Sequence, residues 1–186
     1  MASIGSEPAT RGDWHALVRL FGQASPMRVC HWNPLTGEMF CAPRGRSGRA
    51  AVAAFGLRIL REEGWLEVPF LESDQAFALA VEWVDGLASG RGKTLAQQAI
   101  SAEKPFRQLR AVLGRMPGLA RRYEQRVREE AEARLVEFCV GLGLCLDHPK
   151  FRELAPLFAD ATAAPVGGNV ARRAAGALSI GRPPCA

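Results

Sequence analysis

Hydrophobic residues follow two different periodicities along this chain, and the change between them divides the sequence into two parts. A first helix is predicted from Trp14 to about Gly22, because its apolar residues recur at the spacing i, i+3, i+4, i+7 and Asp13 can cap its start. Short alternating segments follow, with one further helix over 50–62. From residue 73 onward the pattern is helical. Strands followed by a run of helices are typical of an α+β fold.

A hairpin is predicted where two alternating segments, 29–33 and 38–42, flank the turn sequence Pro34-Leu-Thr-Gly37. The turn places three pairs opposite each other: Asn33 and Glu38, Trp32 and Met39, Cys30 and Cys41. We expect the last two pairs to share one face of the sheet, because side chains alternate between faces along a strand. Residues 64–70 alternate in the same way and predict a third strand, which Pro69 confines to an edge or to its own end.

The remaining sequence predicts a series of helices, three of which (73–87, 105–116 and 119–140) have an apolar stripe at helical spacing. The ranges of the whole series are 73–87, 94–101, 105–116, 119–140 and 151–158. Phe77 and Phe106 belong to two of the predicted buried stripes, Pro105 is expected to begin the third helix, and Pro117-Gly118 to end it. The predicted fold is therefore α+β: a small antiparallel β-sheet, made of the hairpin plus one strand, packed on a helical bundle, with a helix-rich C-terminal half.

Length and composition are those of an ordinary globular protein with one core. The chain has 186 residues, of which 48% are hydrophobic and 23% charged. We predict a single domain over 13–160, a disordered N-terminus over 1–12, and a disordered tail of Ala, Gly, Pro and Arg over 161–186. The absence of a long apolar stretch and of a secretion signal predicts a cytoplasmic protein with no membrane partner. Five cysteines, an odd number, predict reduced thiols.

The segment Gly92-Lys93-Thr94 has the ending of a phosphate-binding loop, but its spacing is wrong. That loop requires a glycine at position 87, where the sequence has leucine, and Gly86 lies one place too early. The residues before the segment have helical rather than strand periodicity. We therefore expect a flexible linker between two helices, with no bound nucleotide and no cofactor.

A metal site is the alternative that the cysteines leave open. Cys30, Cys41, Cys145 and His148 could form a tetrahedral zinc site, in a metal-binding protein or an enzyme. The paired Cys-x-x-Cys spacing is absent, and cysteine is often a small buried hydrophobe. The sequence also lacks the Gly-x-Ser-x-Gly motif that surrounds the nucleophilic serine of many hydrolases. No catalytic residue and no metal ligand is assigned.

Positive charge is concentrated in residues 104–128. Eight basic residues stand there against the single acid Glu124, a formal charge of +7, whereas the whole chain carries +5. The candidate anion-binding or nucleic-acid-binding residues are Arg107, Arg110, Arg115, Arg121 and Arg122. Such a patch binds phosphate backbones by charge, without reading base sequence.

The same region carries a resemblance to a family. Phe106-Arg-Gln-Leu-Arg110, followed by Arg122-Tyr123, resembles the aromatic and basic motifs of the uncharacterised bacterial protein family 0158. Thr36-Gly37-Glu38 at the hairpin turn, Val68-Pro69 and the segment 137–144 are similar to other segments of that family, in the same order. The resemblance covers residues 14–146. Pro105, Gln108, Leu109 and Arg122 depart from the family pattern. The resemblance implies the fold but no activity, because the family has no established one.

These observations predict a non-enzymatic binding or regulatory protein. An arginine-rich helical surface would dock an anionic partner, either nucleic acid or an acidic protein surface. Besides the metal alternative, a third hypothesis is an adaptor that binds proteins in an apolar groove between the sheet and the helices.

Overall fold

The computed structural model of the protein describes residues 12–43 and 64–159, in which six helices and three strands are formed. The predicted helix over 50–62 and the predicted disordered tail lie outside these residues, as does the N-terminus apart from Gly12. The elements in chain order are α1 (Trp14–Gln23), β1 (Arg28–Trp32), β2 (Met39–Pro43), β3 (Leu66–Glu67), α2 (Ser73–Asp85), α3 (Arg91–Ile100), α4 (Pro105–Arg115), α5 (Pro117–Gly141) and α6 (Pro149–Ala159). The α+β class and the helix-rich C-terminal half are confirmed.

The chain divides into two compact units, each with its own core. The sheet unit comprises the described residues up to Phe70 together with those from Ala131 onward, and the helical unit comprises Leu71–Glu130. The sheet unit is therefore discontinuous in sequence. Helix α5 contributes its first part to the helical unit and the rest to the sheet unit. The single domain expected over 13–160 stays a prediction.

In the sheet unit, α1 and the hairpin form as predicted. The carboxylate of Asp13 accepts a hydrogen bond from the main-chain N–H of Ala16 at 2.8 Å and caps α1. Strand β1 pairs with β2 in the predicted register, with Trp32 opposite Met39. Strand β3 is shorter than predicted and pairs antiparallel with β1, which gives the strand order β2-β1-β3.

Cys30 and Cys41 lie directly opposite each other in the hairpin, with their Cα atoms 4.1 Å apart, and they are joined by a disulfide. The prediction of reduced thiols is therefore wrong for this pair, because the register that the turn imposes brings the two side chains together on one face. Cys139, which is buried, and Cys145, which is exposed, are not joined by a disulfide. Cys30 is almost fully buried, so the link lies against the core rather than in open solvent.

The second part of α5 supplies the helical side of the sheet unit's core. Leu135, Val136 and Cys139 are fully buried there, in one cluster with Trp14 and Trp32. Arg134 of the same helix donates hydrogen bonds to the main-chain oxygens of Phe21 (3.2 Å) and Pro69 (3.4 Å). These bonds tie α5 to the end of α1 and to the segment after β3.

The helical unit packs α2, α3 and α4 around a smaller core, together with the first part of α5. Its buried residues are Ala80, Trp83, Val84, Ala96, Ala99 and Leu109. The ring of Trp83 contacts that of Tyr123 edge-on, with centroids 4.8 Å apart. This contact joins the end of α2 to the first part of α5.

Two predicted core residues of the helical unit are in fact exposed. Phe77 is 37% and Phe106 40% accessible. Helix α2 buries Leu79 and Trp83, which the predicted stripe omitted, and this turns Phe77 to the edge of the buried face. In α4 the fully buried residue is Leu109, so Phe106 lies at the margin of that face. Pro117 also differs from the prediction, because it begins α5 rather than ending α4.

Candidate anion-binding surface

All five predicted arginines belong to the helical unit and are exposed. Arg107, Arg110 and Arg115 project from α4, and Arg121 and Arg122 from the first turn and a half of α5. Helix α4 begins at Pro105 because proline lacks the N–H that a first turn leaves unbonded anyway. Pro117 begins α5 for the same reason, so the two arginine-bearing helices follow each other almost without a linker.

The helical spacing brings some of these side chains together and separates others. With 3.6 residues per turn, Arg107 and Arg110 project about 60° apart on one face of α4, about 160° and about 100° respectively from the buried Leu109. Arg115 projects from the other flank of that face, about 80° from Arg107. Arg121 and Arg122 are adjacent in sequence and therefore diverge by about 100°. Arg107 and Arg110 are thus the closest pair in direction.

The described residues offer these five arginines no ion pair. Arg126, on the same stretch of α5, is a useful contrast because it lies 3.4 Å from the carboxylate of Glu82 and 3.5 Å from that of Glu130. Its charge is therefore balanced within the helical unit. Among residues 12–43 and 64–159, the charge of the five candidates is not balanced in this way.

Arg122 also lines a cleft in the helical unit that sequence reasoning missed. The cleft has a volume of about 340 Å³ and is lined by Glu82, Trp83, Gly86, Leu87, Ala88, Arg122 and Arg126. The residues of α2 enter the cleft through packing against α5, a contact that no local sequence pattern indicates. Its lining includes no residue of the sheet.

The segment Gly92-Lys93-Thr94, which resembles the end of a phosphate-binding loop, lies in the first turn of α3, so the connection between α2 and α3 is shorter than predicted. Lys93 donates a hydrogen bond from Nζ to the main-chain oxygen of Asp85 at 2.7 Å, and the hydroxyl of Thr94 donates to the oxygen of Gly90 at 3.3 Å. Gly90 has φ of 150°, a conformation that glycine adopts readily. Both polar side chains of the motif therefore bond to main-chain oxygens, Lys93 at the end of α2 and Thr94 at the start of α3.

The four residues of the metal alternative are not gathered into a site. Cys30 and Cys41 share a disulfide, and Cys145 is exposed. The ring of His148 stacks on that of Trp14, with centroids 4.5 Å apart, and its Nδ1 accepts a hydrogen bond from the N–H of Lys150. Within residues 12–43 and 64–159, no three His, Cys, Asp or Glu side chains come close enough to hold a metal ion.

No protein-family model, curated protein or solved structure matches this chain. The resemblance to the uncharacterised family 0158 accordingly stays a prediction. In the part of the chain that the structure describes, no helix has both the length and the apolar character required to cross a bilayer.

Proposed function

We propose that this protein is a non-enzymatic binding protein that docks an anionic partner through Arg107, Arg110, Arg115, Arg121 and Arg122. One observation carries the proposal: all five side chains are exposed on one compact unit, and no described carboxylate neutralises them. The proposed setting is the cytoplasm, where nucleic acids and acidic protein surfaces are both abundant.

Unpaired arginines suit this role because binding does not first require an internal ion pair to break. A guanidinium group presents several N–H donors in a planar fork that matches two oxygens of a phosphate or carboxylate. Each phosphate that an arginine neutralises releases condensed counterions, which favours association at low salt. An arginine such as Arg126, already shared between two carboxylates, contributes less to such an interface.

Two measurements test the proposal. One is the salt dependence of binding to a fluorescent single-stranded oligonucleotide of about 20 nucleotides, and the other is retention on heparin. Two double variants, Arg107→Ala/Arg110→Ala and Arg121→Ala/Arg122→Ala, are compared with the wild type. We expect each to weaken binding and to lower the slope of log K against log salt by about 0.7 for each phosphate that the variant no longer neutralises.

The matched control is Arg19→Ala/Arg28→Ala, which removes the same charge from exposed positions of the sheet unit. If the control variant weakens binding as much as the two arginine double variants do, binding depends on net charge rather than on the five arginines, and the proposal fails. If the protein binds poly-glutamate as tightly as it binds the oligonucleotide, an acidic protein surface is favoured as the partner.

A further inference from the structure

The exposed pair Phe77 and Phe106 is an aromatic feature that the arginine surface does not explain. The two rings meet edge-on across α2 and α4, with centroids 6.3 Å apart and planes at 83°. Each keeps more than a third of its surface accessible. Large exposed aromatic side chains that contact each other on a surface are typical of binding sites.

Two exposed arginines of α4 project from the side of the helix that carries Phe106. Arg110 lies four residues after Phe106, so the two side chains project about 40° apart on the same side of the helix. Arg107 projects about 60° beyond Arg110. Neither arginine makes an ion pair with a described residue. Phe106 and the two arginines therefore lie on one side of α4.

The N-terminus of α4 adds a third, independent feature at the same place. The residue at its N-cap is Lys104, no side chain there accepts a hydrogen bond from the helix, and the first turn holds no acidic residue. The first N–H groups of a helix and its dipole favour an anion at that end. Phe106 is the second residue of the helix, so an anion bound at the N-terminus would lie beside its ring.

We propose that Phe77, Phe106, Lys104, Arg107 and Arg110, which we term the aromatic–basic patch, bind single-stranded nucleic acid. Unpaired bases stack on the exposed rings, while the guanidinium groups and the helix N-terminus contact the flanking phosphates. This inference rests on the proposed function and narrows it to one class of partner.

Three other partners fit the patch less well. In a duplex the bases are stacked on each other and present no free face to the rings. An acidic peptide gains little from the rings, because the face of an aromatic ring carries negative potential. A second copy of the chain, docked patch to patch about a twofold axis, would set arginines against arginines.

Three probes with the same number of phosphates separate the contribution of the bases from that of the backbone. They are a single-stranded oligonucleotide, an abasic oligonucleotide and a duplex, each titrated with the full chain at one salt concentration. We expect the wild-type protein to bind the single strand at least about fivefold more tightly than the abasic strand.

The variant that isolates stacking is Phe106→Leu, which keeps an apolar side chain but removes the aromatic ring. We expect it to abolish the preference for the strand with bases and to leave the affinity for the abasic strand unchanged. Phe106→Trp should keep the preference, and Arg107→Ala/Arg110→Ala should weaken binding of both strands. Leu157→Ala, an exposed apolar position in the sheet unit, is the control that should change neither.

The outcomes distinguish this inference from the function on which it rests. Three results would overturn the aromatic–basic patch and leave anion docking intact. They are equal binding of the two single-stranded probes, tighter binding of the duplex, and a preference for the strand with bases that survives Phe106→Leu. Failure to bind any of the three probes would overturn the aromatic–basic patch, and failure to bind poly-glutamate as well would overturn anion docking too. Concentration-dependent self-association that disappears in Phe106→Leu would assign the rings to contact between copies, against the proposal.

Discussion

The ammonium group of Lys93 donates a hydrogen bond to the main-chain oxygen of Asp85, 2.7 Å away. Asp85 is the last residue of α2, where carbonyl groups are left without a helical partner and the helix dipole is negative. A lysine that sequence alone would associate with phosphate is thus used to hold the end of one helix to the start of the next.

Replacing this lysine should affect stability rather than nucleotide binding. We expect Lys93→Met to lower the free energy of unfolding by about 0.5–1 kcal/mol, because the helix end loses a charged donor. Arg91→Ala, an exposed position on the same helix, is the control and should change stability less. Thermal denaturation with and without Mg-ATP checks both points. A rise in Tm with ATP that Lys93→Met removes would contradict this structural role of Lys93.

The two positions Leu109 and Phe106 of α4 should differ sharply in their effect on stability. Leu109 is 2% exposed and Phe106 40%. We expect Leu109→Ala to lower the free energy of unfolding by about 2–5 kcal/mol, because it leaves a cavity in the core. Phe106→Ala should lower it by less than half as much. Urea denaturation followed by circular dichroism measures both. Equal costs would mean that Phe106 is a core residue, as the sequence pattern suggested.

Asn33 stabilises the hairpin turn from a buried position. Its Oδ1 accepts hydrogen bonds from the N–H groups of Leu35 (2.9 Å) and Thr36 (3.3 Å), and the residue is 2% exposed. We expect Asn33→Ala to lower the free energy of unfolding by about 1–3 kcal/mol, since these N–H groups would be left without an acceptor. Thr36→Ala, which removes an exposed hydroxyl from the same turn, should cost less. The reverse order in chemical denaturation would argue against this account of the turn.

The thiol of Cys139 should make stability fall at alkaline pH. Burial, followed by the neighbouring Cys145, raises its pKa from 9.0 to about 12. As pH rises above about 9, the unfolded chain loses this proton while the folded protein keeps it. The free energy of unfolding should therefore decrease toward pH 12, by at most about 1.4 kcal/mol per pH unit.

Cys139→Ala should reduce that slope without removing it, because burial also raises the pKa of Tyr123. Alkylation by iodoacetamide near pH 8 offers a second measurement. We expect Cys145, which is exposed, to react in the folded protein and Cys139 to react only after unfolding. Rapid native alkylation of Cys139 would show that its thiol is not held in the core.

The hairpin and the helix order were predictable because their determinants are local. Alternation and a Pro-x-x-Gly turn fix the register of Cys30 and Cys41, and a proline marks the start of α4. The buried face of α2 was not predictable, because apolar side chains project from more than one side of this helix: Phe77, Leu79, Val81 and Trp83. Only packing partners that are distant in sequence determine which of them are buried. Exposure of the arginines followed from composition. The cleft beside Arg122 could not be predicted from the sequence, because it depends on the contact between α2 and α5.

The discontinuity of the sheet unit has a consequence during synthesis. The ribosome releases Trp14, Leu17 and Phe21 early, yet their partners Leu135, Val136 and Phe151 emerge only after the whole intervening unit. Domains generally fold as units once their sequence is complete. The helical unit can thus acquire its structure first, while the large apolar side chains of α1 and the hairpin stay unburied until the segment that begins at Ala131 has been synthesised.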